Sequence, residues 1–229
     1  MNAASPNKPT AYKKGVQDFY GRDFIVTPDV LIPRPETEQI IDAVLTLAGK
    51  PYLPGVKAPK RVLPENPVIL DVGTGSGCIA ITLKLELKET KVYASDISPE
   101  ALKIAQKNAL KHGAPITTII SHLLEKVKSG DISTPDIIVA NLPYVDKNWD
   151  WLDKKSLSYE PSIALYAEDH GLALIKKLID EATELKIPYL ILEADPCQHE
   201  AIIKYAKYYN LSRADGYILS FIYRYTHQA

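Results

Sequence analysis

Apolar residues recur along this chain in short blocks that switch between a strand-like and a helix-like period. Val68-Ile69-Leu70 is wholly apolar, the pattern of a central parallel strand covered on both faces. Residues 79–87 follow as an apolar helix, and residues 91–95 as a second strand that ends at Asp96. Ser98-Pro99-Glu100 predicts a helix start, with serine as the cap, proline at the first position and glutamate in the first turn; Gly113 closes that helix. Residues 116–120, 136–140 and 189–193 read as further strands, 168–185 and 198–208 as helices, and 211–214 with 217–225 as a closing hairpin. Repeated strand–helix units with this ending predict an α/β fold, a doubly wound and mostly parallel sheet with a C-terminal β-hairpin.

Upstream the pattern is weaker. Residues 1–20 are polar and sparsely patterned and read as a flexible segment. Residues 21–66 form an entry segment: Phe24-Ile25-Val26 and Val30-Leu31-Ile32 read as extended, interrupted by Pro28 and Pro33. A helix follows Pro35, with Ile40, Ile41, Val44, Leu45 and Leu47 at helical spacing and Gly49 at its end. Pro51, Pro54, Pro59, Pro64 and Pro67 then mark a connector into residues 67–229, which carry the sheet.

Composition narrows the class of protein. The 229 residues hold 27 Lys+Arg against 28 Asp+Glu, a net charge of −1, which argues against a strong electrostatic grip on nucleic acid. No apolar stretch approaches the roughly 18 to 20 residues of a membrane span. Cys78 and Cys197 are too few for a disulfide framework and fit a reducing, cytoplasmic compartment. A monomer is the expected state. Glu193, Cys197 and His199 make no recognisable metal spacing, so no metal is expected.

Three local features carry chemistry. Asp71-Val72-Gly73-Thr74-Gly75-Ser76-Gly77 joins the first strand of the sheet to its helix, where glycines let a ligand approach the backbone. Alone it is weak, and the dinucleotide spacing is not met because the third glycine falls one residue early. Asp96 ends the next strand, where a carboxylate can accept hydrogen bonds from both hydroxyls of a ribose; a helix-capping aspartate is the plainer alternative. Together they suggest a nucleoside-bearing cofactor, NAD or S-adenosylmethionine. Asn141-Leu142-Pro143-Tyr144, directly after a strand, decides between the two. The Asn141 oxygen and a neighbouring backbone carbonyl can accept the two protons of a target NH2 group, and Tyr144 can cover its flat face. Methyltransferases acting on planar amide or exocyclic amino nitrogens use such a tetrapeptide, whereas a nicotinamide enzyme has no evident use for it.

These segments, with Leu31-Ile32-Pro33-Arg34-Pro35-Glu36-Thr37-Glu38, Tyr159-Glu160-Pro161 and residues 167–172, resemble the PrmC/HemK family of protein-glutamine N5-methyltransferases over about residues 19–226. The resemblance implies a Rossmann-like class I S-adenosylmethionine-dependent methyltransferase domain over residues 67–229. It also implies a peptide-chain release factor as the protein substrate, modified at the glutamine of a Gly-Gly-Gln loop. Carried over, Asp71 and Gly73, Thr74, Gly75, Ser76 and Gly77 would hold the methionine part of the cofactor, Asp96 its ribose, and Ile97 and Leu123 its adenine. Asn141, Leu142, Pro143 and Tyr144 would hold the substrate amide, with Asn141 also near the cofactor, and Arg34 and Glu36 would shape the glutamine pocket or pair to orient the helix start.

The chain departs from the family pattern at Leu142, where proline is usual, and at Ser121-His122-Leu123, where an aspartate and an aromatic or apolar residue are common. The family's helical N-terminal docking domain is expected to be largely missing. The alternative function is N6-adenine methylation of RNA or DNA, which uses the same acceptor geometry; a non-catalytic cofactor-binding module is the third reading. Cys78 and the tyrosines at 205, 208 and 209 read as packing residues, and Trp149 and Trp151 as a lid or docking patch.

Overall fold

The computed structural model describes residues 8–51 and 57–225. In chain order it contains α1 (Thr10–Lys14), β1 (Val16–Phe19), β2 (Arg22–Ile25), α2 (Glu38–Leu47), β3 (Val68–Val72), α3 (Cys78–Glu86), β4 (Lys91–Asp96), α4 (Pro99–His112) and β5 (Thr117–Ile120). After these come α5 (Glu125–Lys128), β6 (Ile137–Ala140), α6 (Lys154–Leu157), α7 (Ala173–Glu184), β7 (Tyr189–Glu193), α8 (His199–Tyr205), β8 (Tyr209–Asp215) and β9 (Ile218–Tyr223). Among the described residues no helix is long and apolar enough to cross a membrane.

The main sheet has the order β5-β4-β3-β6-β7-β9-β8. Strands β3 to β7 run parallel, and β9 pairs antiparallel with both β7 and β8, which makes the expected terminal hairpin. Side chains alternate across the sheet. Ile69, Ile137, Val139 and Ile191 point to one face, beneath α2 and α3, while Leu70, Ile138, Leu190 and Leu192 point to the other, beneath α7 and α8. Every residue of β6 is buried, as its unbroken apolar run requires of a strand covered on both faces. The Ser98 side chain caps α4 by accepting from the Ala101 N–H at 3.1 Å, with Pro99 at the first helical position.

The N-terminal segment departs from the sequence reading. Residues 1–7 lie outside the described residues, but α1 and β1 occupy most of residues 8–20, the rest of the stretch that reads as flexible. Three buried anchors, Ala11, Tyr12 and Phe19, hold it. The Tyr12 hydroxyl donates to the Val30 carbonyl at 2.6 Å, and Phe19 packs edge-on against Phe24. Residues 30–32 are not a strand; among the described residues no strand pairs with them, and Val30 and Ile32 are buried beside α4 instead. Part of the proline-rich connector, residues 52–56, lies outside the described residues.

Two helices are shorter than their apolar patterns suggest. The helix expected from residue 168 starts at Ala173, because Asp169, His170 and Gly171 all have positive φ, a left-handed turn incompatible with a helix. The last helix stops at Tyr205, and Tyr209 opens β8 as a buried ring whose hydroxyl donates to the Ile187 carbonyl. Tyr208 is exposed, so the three tyrosines share no packed face.

Asn108, on α4, ties the N-terminal hairpin to the first turn of the sheet. Its Oδ1 accepts from the Ile25 N–H at 2.7 Å, while its Nδ2 donates to the carbonyls of Ile25 and Ser76 at 3.0 and 2.8 Å. The residue is fully buried, so truncation strands backbone groups away from water. Asn108→Ala should therefore lower unfolding stability by about 2 to 3 kcal/mol, read as a shift of the urea midpoint at constant slope. A change under about 0.5 kcal/mol would show that the three bonds carry no net stability.

Candidate active site

The strand order reverses between β3 and β6, and a cleft opens at the carboxyl ends of these two strands, the usual ligand position in such sheets. The turn after β3 forms its floor. The N–H groups of Gly73 and Thr74 both donate to the Ser95 carbonyl at 2.9 Å, and Gly77 N–H donates to the Thr74 carbonyl at 2.8 Å. Gly75 has φ +54, and a Cβ built there would meet nothing within 4 Å, so a side chain would stand in the open space that the turn encloses. A Cβ on Gly73 would come within 3.1 Å of Leu142 Cδ2, so absence of a side chain lets the turns after β3 and β6 touch.

Asp71 lies behind this floor, fully buried, and does not line the cleft. Its Oδ2 accepts from the Thr74 hydroxyl at 2.6 Å and the Ala80 N–H at 3.2 Å, while Oδ1 has no hydrogen-bond partner among the described residues. Burial pushes its pKa up to about 7, against the pull of those two donors. Ser76 is buried and Gly77 packs on α3 and α4, so neither faces the cleft.

Asp96 does face it. Its Oδ2 accepts from the Gly75 N–H and its Oδ1 from the Ser98 N–H, each at 2.9 Å. Partial burial raises its pKa, opposed by backbone donors from Ser98, Gly75 and Ile97. Each carboxylate oxygen keeps further lone-pair capacity for a ligand. Ile97, half exposed, and the buried Leu123 form apolar lining nearby, with Ser121 and His122 beside them.

Opposite stand the residues after β6. Asn141 Nδ2 donates to Thr37 Oγ1 at 3.0 Å, which leaves Asn141 Oδ1 as an acceptor. Pro143 lines the cleft; Leu142 lines it too, and also packs into the apolar cluster beneath α7. Tyr144 is not a lining residue: its hydroxyl donates to Glu193 Oε1 at 3.1 Å, so the ring does not cap the cleft. Gly171 fixes this turn from outside, since a Cβ there would meet the Tyr144 carbonyl oxygen at 1.9 Å.

Arg34 lines the cleft but pairs with Glu160, not with Glu36, which is exposed and outside the lining. Glu160 also accepts from the Ile32 N–H at 3.0 Å and so staples the residue 31–35 segment to the loop after β6. Trp149 and Trp151 stack at 5.1 Å and do not line the cleft. Cys78 is buried, and the described residues contain no cluster able to hold a metal ion. Sequence reasoning assigned no role to Thr37 and Glu193. The one available signal was an acidic residue closing the apolar run of β7.

The family described as "Methyltransferase small domain" matches residues 58–152. The release factor glutamine methyltransferase of Koribacter versatilis is 45% identical over 178 residues, covering 77% of this chain and 58% of that protein. The bifunctional methyltransferase of Rickettsia typhi is 36% identical over 231 residues, covering 95% of this chain and 42% of that protein. The chain thus spans roughly half the length of these curated relatives. The ribosomal protein L11 methylase of Lactobacillus delbrueckii subsp. bulgaricus superposes with a TM-score of 0.57 at 22% identity, covering 91% of this chain and 90% of that one, a likeness of fold.

The buried carboxyl of Asp71 gives a pH test. Its folded pKa, about 7, exceeds the ordinary aspartate value of 3.8, so between these limits the native state holds a proton that the unfolded chain has lost. That contribution is complete at low pH and disappears as pH rises towards 7, by at most about 1.4 kcal/mol per pH unit. Asn at this position does not titrate. The melting temperature of Asp71→Asn relative to the native protein, both without ligand, should therefore rise between pH 5 and pH 8. An unchanged difference would mean that Asp71 is ionised throughout.

Proposed function

We propose, on the premise that this chain belongs over its aligned span to the release factor glutamine methyltransferase family, that it transfers a methyl group from S-adenosylmethionine to a glutamine side-chain nitrogen. The glutamine we assign is that of a Gly-Gly-Gln loop in a peptide-chain release factor, modified in the cytoplasm, where the free thiols of Cys78 and Cys197 fit a reducing setting. The observation that carries the reading is Asn141, with its Oδ1 unclaimed on the same cleft as Gly73, Thr74, Gly75 and Asp96.

The residues fit the cofactor. Open space over Gly75 accommodates its methionine part, Asp96 offers lone pairs to two ribose hydroxyls, and Ile97 and Leu123 give apolar walls for adenine. When bound, the cofactor supplies a methyl group made electrophilic by its attachment to a sulfonium. The difficulty lies with the acceptor, because an amide nitrogen shares its lone pair with the carbonyl. Asn141 Oδ1 and the Leu142 carbonyl would accept the two N–H protons and fix the nitrogen in the cleft, stabilising the positive charge that develops there. No general base is required before transfer, since the nitrogen becomes acidic only afterwards. The lack of a histidine or carboxylate among residues 141–144 agrees with that order. The near-neutral charge and the curated relatives do not favour adenine methylation.

Incubating the protein with cofactor and a release factor, followed by mass spectrometry, should show a single added methyl on the Gly-Gly-Gln glutamine. Asn141→Ala should lower kcat by roughly 100-fold or more, as expected for one preorganised polar group at a reacting centre. Label entering ribosomal RNA and not the release factor would overturn the assignment. Asp96→Ala should weaken cofactor binding, measured by calorimetry, roughly 30- to 150-fold. Unchanged binding would remove Asp96 from the site.

A further inference from the structure

We propose that Gln198, acting through the Tyr144 carbonyl, is a positioning residue for methyl transfer: it clasps the turn over residues 141–144 so that the groups awaiting the substrate amide keep their place. The inference deepens the function proposed above and rests on it for the nature of the substrate. Gln198 ends the turn Pro196–Gln198 that leads into α8 and is 4% exposed. Three segments meet at its side chain. Nε2 donates to the Tyr144 carbonyl at 2.8 Å and to the His170 carbonyl at 2.9 Å, while Oε1 accepts from the Asp195 N–H at 3.2 Å.

This set matches the amide group for group. A glutamine amide has two protons to give and an oxygen that accepts, and its surroundings offer two carbonyls and one N–H. A flipped amide would set Oε1 against two carbonyl oxygens, so hydrogen-bond polarity fixes its orientation. Gly171 makes the approach possible, because a Cβ there would stand 2.6 Å from Gln198 Nε2 and closer still to the Tyr144 carbonyl oxygen. The adjoining Asp169 and His170 adopt positive φ, a strained conformation for residues that bear a Cβ, which surrounding bonds must hold. They do so along the whole junction. Val145 N–H donates to the Leu165 carbonyl, Ala167 N–H donates to the Val145 carbonyl, and His170 Nδ1 lies 3.0 Å from Asp146 Oδ2.

Only three residues separate the clasp from the strand end. Ala140 is fixed in the sheet between Val72 and Leu192, the Pro143 ring sets its own φ, and Tyr144 is held by its carbonyl and by its hydroxyl on Glu193. Turning the peptide plane that carries the Leu142 carbonyl would carry Tyr144 with it. Gln198 therefore acts on that carbonyl and on Asn141 without lining the cleft itself.

Gln198→Met keeps the length of the side chain and removes both donors. At saturating cofactor and release factor it should lower kcat roughly 10- to 100-fold, while the dissociation constant for S-adenosylmethionine, read by calorimetry, changes less than about threefold. Asp195→Ala is the control: it removes the side-chain cap on the Cys197 N–H and leaves both Gln198 donor bonds in place. It should lower the melting temperature yet keep kcat within about twofold of native. Gln198→Glu, assayed at pH 8, keeps an acceptor for the Asp195 N–H but lacks the donors, so it should match Gln198→Met and replaces it should that variant not fold. In the native protein, ¹⁵N NMR should show the Gln198 NH2 protons exchanging with solvent roughly 100-fold more slowly than those of an exposed glutamine. Native kcat in the Gln198 variants, an equal loss of kcat in Asp195→Ala, or fast NH2 exchange overturns the clasp alone. If the native protein itself transfers no methyl group to a release factor, the parent function fails and this role falls with it.

Discussion

Val72 and Ala140 stand opposite each other at the carboxyl ends of β3 and β6, and the cleft depends on that register. Each strand leaves the sheet through a right-handed crossover, but the two crossovers run to opposite sides, so no helix covers the gap between them. Sliding β6 by one residue would invert its side chains, moving Ile138 out of one core cluster and Val139 out of the other. The burial of all four β6 residues therefore locks the relative height of Gly73 and Asn141. A fixed height keeps the glycine turn and the Asn141 side chain on one cleft.

Carboxylates at strand ends serve this geometry in different ways. Asp71, one residue before the end of β3 and on its core side, holds the glycine turn through Thr74 and Ala80, whereas Asp96 ends β4 on the open side, where backbone donors leave it room for a ligand. Glu193 ends β7 behind the turn that bears Asn141. Burying such groups raises their pKa and costs stability, and the hydrogen bonds they accept offset part of that cost. Replacement by apolar residues would give a cheaper core but would release two turns whose backbones define the cleft.

What was legible in the sequence is what local physics decides. Ser98-Pro99-Glu100 announced the start of α4, the apolar run of β6 announced a doubly covered strand, and Gly73-Thr74-Gly75 announced a tight turn from strand to helix. Contacts between distant residues were not legible. Nothing within a few residues of Arg34 reveals that its partner is Glu160 and not Glu36, and nothing near Thr37 shows that its hydroxyl would abandon the cap of α2 for Asn141. The N-terminal hairpin escaped notice because its few buried anchors, Tyr12 and Phe19 among them, acquire meaning only once Val30 and Phe24 are beside them. Tyr144 could be read as a cover for the substrate. Its preference for Glu193 follows from where β7 lies, a property of sheet order.

The rim of the cleft obeys the same demand for rigidity. Pro33, Pro143 and Pro161 all line it, on three separate segments. A proline wall has φ already fixed, so it has little backbone conformational entropy left to lose on binding. Arg34 adds a link of another kind, joining the first of these segments to Glu160, the residue just before Pro161. Arg34 is partly exposed while Glu160 is buried, so the pair is screened on one side only, and loss of the arginine would leave a buried carboxylate that still accepts from the Ile32 N–H. This wall of the cleft is thus held by a charge that cannot easily be released, over a floor that glycine keeps open. Rigid walls and an open floor give the cleft a shape that is set before anything enters it.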